Sequence, residues 1–166
     1  IRRVQVYAAE LACALGMSET DIQGVKTAAL LHDIGKMALP EHILSKPGPL
    51  TLEEFQNIRI HPQVGAEIIS GVPFPYPVAP LILSHHERFD GKGYPSGLKG
   101  EDIPLGARIL SVVDYFDALM SERPYHKAMS FDAAIGLLRQ ESGKALDPRI
   151  VQTFIEMYPG LAAEAD

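Results

Sequence analysis

Two adjacent histidines, His85 and His86, close an apolar run from Val78 to Leu83. They lead at once into Glu87-Arg88-Phe89-Asp90-Gly91-Lys92-Gly93-Tyr94-Pro95, a loop rich in glycine and charge. A packed domain has little structural use for paired imidazoles beside flexible basic backbone. The combination suits a site that holds metal and phosphate, and the remaining candidate ligands read as partners for these two rings.

Four of the six histidines, His32, His61, His85 and His86, end apolar helical segments. Asp33 and Asp114 sit in similar settings. Any one of them alone reads better as a cap or a core residue, and Asp114 alone as a buried carboxylate bonded to backbone. The case rests on six such groups occurring together. His42, in a loop after Pro40-Glu41, is a weaker candidate.

Helical neighbours project about 100° apart. By that rule His32 does not chelate one ion with Asp33 as a simple pair, nor His85 with His86. Two adjacent pairs make better sense if they serve two metals a few Å apart, or if one carboxylate bridges them. His61 and Asp114 would complete the shells. Nitrogen and oxygen donors without thiolate fit Fe or Mn, with Zn, Co or Ni as alternatives, better than a cluster or a Cys-zinc site. Two metals support hydrolysis at phosphorus, because bound water ionises near neutral pH. Lys36 lies one turn beyond His32-Asp33. Two readings stand evenly for it: a phosphate contact, or a cation at a helix C-terminus.

The formal net charge of -6 argues against a general nucleic-acid binder, DNA included. The single cysteine, Cys13, excludes an internal disulfide and suits a reducing, cytoplasmic setting. Cys13 itself reads as a small buried helix residue. No apolar run reaches the ~18 residues of a membrane span. The chain opens inside a helical pattern, so it reads as one domain, 1–166, cut from a longer protein.

The pattern along the chain is all-α, with about seven helices and no alternating strand signal. A helix over residues 1–15 stops at Gly16. Ser18, with Asp21 three residues on, caps a second helix that ends near Gly35. Thr51 and Glu54 form a capping box, with Leu50 as a staple. Pro62 suits the first turn of a helix that runs to about Ser70. Residues 71–80 hold four prolines and read as irregular. Next come the helix ending in His85-His86, the long loop to about Pro104, and a helix from Leu105 to Met120. Ser130 caps a helix to about Arg139. Asp147-Pro148 opens a last one, ending near Tyr158. Asp117, three residues after Asp114, reads as a partner of that aspartate or as a cap. Glu87 with Arg88 reads as an exposed pair, and Arg108 as a cation orienting a carboxylate.

His32-Asp33 with Gly35-Lys36, His61-Pro62 with Gly65, His85-His86-Glu87, Asp90-Gly91-Lys92-Gly93-Tyr94-Pro95 and Asp114 together resemble the HD-GYP family, a branch of the HD-domain phosphohydrolases. The resemblance covers the chain from about Val4 to Phe154. It implies an HD-domain helical bundle with a long GYP loop. It also implies a bacterial phosphodiesterase that linearises cyclic di-GMP to pGpG, and onward to GMP, through water activated at a dinuclear centre, usually of iron or manganese. Carried over, His32, Asp33, His61, His85, His86 and Asp114 are metal ligands, with Asp33 as the bridge. Lys36 stabilises the attacked phosphate or the leaving group. Gly93, Tyr94 and Pro95 line the substrate cleft, and Arg123 and His126 contact the dinucleotide. His126 stands where the family commonly has Arg or Lys. The first-helix positions for a third metal are Gln5 and Ala9, a weak pair, which leaves Glu41 and favours two metals. The partners implied are cyclic di-GMP, an upstream regulatory domain and diguanylate cyclase domains. The rival readings are a phosphohydrolase of another nucleotide, and a cyclic di-GMP or partner-binding module with little turnover.

Overall fold

The computed structural model describes residues 2–123 and 126–165. Ile1, Pro124, Tyr125 and Asp166 lie outside the described residues. Among the described residues no strand occurs, and nine α-helical segments form. They are α1 (Arg2–Ala14), α2 (Glu19–Leu31), α3 (Glu41–Leu44), α4 (Leu52–Ile58), α5 (His61–Ser70), α6 (Ala79–Ser84), α7 (Leu105–Met120), α8 (Phe131–Glu141) and α9 (Pro148–Ala165). α3 is a single turn, so eight are longer, close to the expected number. Short 3-10 turns cover Ile34–Ala38 and Gly100–Asp102.

Local chemistry sets most boundaries. Gly16 adopts φ 77°, a left-handed stop. The Ser18 hydroxyl accepts from Asp21 N–H, Thr51 and Glu54 close a full capping box, and Ser130 accepts from Ala133 N–H. α1 is the central strut, packed against α2, α7 and α9. Its Val4, Tyr7, Ala8, Leu11 and Ala12 are buried against Val25 and Ala28 of α2, Val112, Val113 and Phe116 of α7, and Phe154 of α9. Burying each large apolar side chain stabilises the fold by about 1.5–3 kcal/mol.

Two boundaries differ from the sequence pattern. α2 stops at Leu31, four residues before Gly35, and the chain tightens into a 3-10 turn. The cause is packing, since the turn lies directly on α5, and a β-carbon on Gly35 would collide with the His61 carbonyl. α9 runs past Tyr158 to Ala165, with Pro159 inside it. Tyr158 stacks on Phe131 (centroids 4.2 Å) and packs edge-on to Phe116, which anchors that end of the helix to the core. Pro159 therefore costs one backbone hydrogen bond without ending the helix.

Cys13 is exposed, not buried. It lies on the outer side of α1, whose inner face is taken by Leu11 and Ala12. No helix among the described residues is long and apolar enough to cross a membrane.

Candidate metal centre

Four histidines arrive at one place from the ends of three helical segments. His32 is the C-cap of α2, His61 opens α5, and His85 and His86 lie in the turn after α6. The Nδ1–H of His32 donates to the Ala29 carbonyl at 2.8 Å, that of His61 to Ile58 at 2.8 Å, and that of His85 to Ile82 at 2.5 Å. A carbonyl only accepts, so each bond places a proton on Nδ1 and leaves Nε2 as the nitrogen that faces the cluster. All three Nε2 atoms are buried without a hydrogen-bond partner. Buried polar atoms are rarely left this way unless they serve a ligand.

The carboxylates face these nitrogens. His32 Nε2 is 3.4 Å from Asp33 Oδ2 and 3.4 Å from Asp114 Oδ1, beyond a good hydrogen bond but in close electrostatic contact. His61 Nε2 is 3.6 Å from Asp33 Oδ1, and Lys36 Nζ is 3.2 Å from that same oxygen. One ligand nitrogen each from His61, His85 and His86 lie within 4.8 Å of one another, a group able to hold an ion. This corrects the helical-projection argument for His85 and His86. α6 ends at Ser84 and His85 keeps right-handed helical angles (φ -69°, ψ -14°), yet the two rings stand with centroids 4.1 Å apart. His32 and Asp33, just beyond α2, likewise converge, at 3.4 Å.

Burial pushes His86 down to about 4, helped by the charge of His61 nearby. It also lowers His61, and lowers His85 well below the usual histidine range. These rings are neutral at neutral pH, the form that donates to a metal. Burial opposes charging of His32 too, but Asp114 and Asp33 outweigh it and hold its pKa up at about 9 in the metal-free chain. Burial would raise Asp114, yet contact with His32 holds it well below the usual carboxylate range. The pocket therefore stabilises positive charge between the two carboxylates. The orphaned nitrogens, neutral rings and facing carboxylates fit a nitrogen and oxygen metal centre.

A cavity of about 520 Å³ lies alongside, lined by Lys36, Lys46, Arg123 and the apolar Ile43, Leu44, Leu50 and Ile58. That size suits a small-molecule ligand. Lys36 and Arg123 thus border the same cavity. His126 pairs with Arg123 through backbone hydrogen bonds of 2.8 and 3.0 Å, but its side chain does not line the cavity.

Tyr94 of the loop stacks on His86, with centroids 5.2 Å apart and planes at 23°. Gly93 brings it there, since a β-carbon would strike Arg88 N and the His86 carbonyl. Pro95 is exposed. Glu87 does not pair with Arg88. It is buried and accepts Ser96 N–H at 2.7 Å and Leu98 N–H at 3.1 Å, which ties the loop down. Arg88 instead forks onto Asp90 at 2.9 and 3.1 Å. Arg59, missed in the sequence, lies 4.8 Å from the Tyr94 ring centroid. The one signal for Glu87 was an acid set between His86 and a run of backbone donors.

Other candidates lie elsewhere. Asp117 binds Arg3 at 2.7 Å rather than the Asp114 region. Arg108 does orient a carboxylate, that of Asp147, at 2.7 Å. The Gln5 amide donates to the Lys26 carbonyl at 3.2 Å, and Glu41 and His42 are exposed.

A family profile described as HD domain matches residues 1–150. A cyclic di-GMP phosphodiesterase response regulator of Xanthomonas campestris is 45% identical over 157 residues, covering 93% of this chain and 42% of the relative. A cyclic di-GMP phosphodiesterase of Thermotoga maritima is 41% identical, covering 93% and 43%. The chain thus spans under half the length of these curated relatives. A cyclic GMP-AMP specific phosphodiesterase of Vibrio cholerae superposes with TM-score 0.76 at 20% identity, over 99% of this chain and 45% of that one, a likeness of fold. The chain belongs to the HD domain family, and its His-Asp, His-His and Gly-Tyr-Pro motifs carry the HD-GYP pattern.

Proposed function

We propose that this chain is a metal-dependent phosphodiesterase that opens cyclic di-GMP to linear pGpG. The observation that carries the reading is the set of three buried, unpartnered Nε2 atoms of His32, His61 and His85, facing Asp33 and Asp114 beside a cationic cavity. The names of the relatives from Xanthomonas campestris and Thermotoga maritima support the substrate class.

In this reading His32, Asp33, His61, His85, His86 and Asp114 would hold two divalent ions, Fe or Mn. Such ions lower the pKa of water and offset charge at phosphorus. The chain supplies the rest. Lys36 and Arg123 receive the phosphodiester from the cavity side, where charge-assisted hydrogen bonds hold its non-bridging oxygens. Asp33 keeps Lys36 beside the reacting centre. Water adds to phosphorus, the bond to the 3′ oxygen breaks, and that oxygen takes a proton to become a free hydroxyl. The new terminus is a 5′ phosphate, and a second round gives GMP. The apolar side chains of Ile43, Leu44, Leu50 and Ile58 offer apolar surface to the bases.

A substrate panel tests the assignment. Cyclic di-GMP, cyclic GMP-AMP and a cyclic mononucleotide are compared with the same metal-loaded sample. The reading predicts the highest kcat/KM for cyclic di-GMP. Higher turnover of cyclic GMP-AMP would move the assignment to the specificity named for the Vibrio cholerae protein.

A further inference from the structure

Three of the four clustered histidines are fixed in one way, by an Nδ1–H bond to the carbonyl three residues earlier. His86 makes no such bond among the described residues. Its ring is instead held by neighbouring rings. His61 meets it edge-on, with centroids 4.9 Å apart and planes at 82°. Tyr94 lies nearly parallel to it at 23°.

Tyr94 is itself constrained. Its N–H donates to the His86 carbonyl at 3.3 Å, so the two residues are joined through backbone as well as through their rings. Glu87 holds the following backbone at Ser96 and Leu98. The Arg59 guanidinium lies over the Tyr94 ring, and Phe55 packs edge-on to it at 6.5 Å.

We propose that Tyr94 is the positioning residue for His86, replacing the missing backbone bond with a flat wall, and that Arg59 clamps Tyr94 in place. The inference rests on the metal-centre reading above. Outer contacts that orient a ligand are worth about 10–100-fold in metal affinity. A surface cation over an aromatic ring is worth about two- to fivefold. The aromatic plane of Tyr94 does this work, so its hydroxyl is dispensable for holding His86.

The test is Mn²⁺ titration by calorimetry on the wild type, Tyr94→Phe, Tyr94→Leu and Arg59→Gln. Tyr94→Phe is expected to bind within about twofold of wild type, Tyr94→Leu at least about tenfold more weakly, and Arg59→Gln about two- to fivefold more weakly. Turnover of Tyr94→Leu rises again when Mn²⁺ is supplied in excess. Tyr94→Phe weakened as much as Tyr94→Leu, or Tyr94→Leu binding like wild type, overturns the proposal. If Tyr94→Leu does not fold, the exposed Arg59→Gln carries the test, and unchanged Mn²⁺ affinity there overturns the clamp. A wild type that binds no Mn²⁺ is a different failure, that of the metal-centre reading itself.

Discussion

Asp33 turns its two oxygens to two different histidines, Oδ2 to His32 Nε2 at 3.4 Å and Oδ1 to His61 Nε2 at 3.6 Å. A carboxylate set this way can serve two ions at once. Asp33→Asn keeps the shape and removes the charge. It is expected to reduce turnover at least about a hundredfold and to lower bound metal, counted by elemental analysis. A variant that kept both activity and metal would remove Asp33 from the centre.

The cationic cavity is separable from the metal. Lys36 and Arg123 line it, yet neither is a proposed metal ligand. A hydrogen bond to a charged group contributes about 1.5–3 kcal/mol, so Arg123→Gln should lower kcat/KM by about ten- to a hundredfold. Bound metal should stay at the wild-type level. Unchanged kinetics would place the phosphodiester elsewhere.

Gly35 allows the turn after His32-Asp33 to lie on α5. Gly35→Ala would force the turn off the His61 carbonyl. The expected cost is about 3 kcal/mol of overpacking, read by urea denaturation, with loss of bound metal. Wild-type stability would show that the close approach is not required.

Asp90 carries the pH prediction. The Arg88 fork, aided by Lys92 N–H, lowers its pKa to about 2. A depressed folded-state pKa stabilises the protein above the unfolded value, and that contribution is lost as pH falls through the folded one. Wild type should therefore lose its stability advantage over Asp90→Asn between about pH 4 and pH 2. Parallel denaturation curves at pH 5 and pH 2.5 check this. A gap between the two proteins that does not shrink with acid would contradict it.

The sequence made some of this legible and hid the rest for physical reasons. Helix caps at Ser18, Thr51 and Ser130 are local hydrogen bonds between near neighbours, so spacing alone revealed them. The candidate ligands stood out because six such groups, four of them imidazoles at the ends of apolar runs, occur together. Their convergence depends on tertiary contacts. Helical projection predicted that His85 and His86 diverge, but the turn that follows α6 brings their ring centroids to 4.1 Å. Glu87 reads as a surface acid, and only the fold of the loop brings Ser96 and Leu98, nine and eleven residues on, to it. Asp117 shares a helix with Asp114, yet its partner, Arg3, is 114 residues away. Arg59 gave no local signal, because its contact with Tyr94 joins two loops.

Anaerobic incubation with cyclic di-GMP, with bound metals counted on the same sample, tests the central claim most directly. The account predicts two Fe or Mn per chain and the appearance of pGpG. A metal-loaded chain that binds cyclic di-GMP and leaves it intact would contradict it.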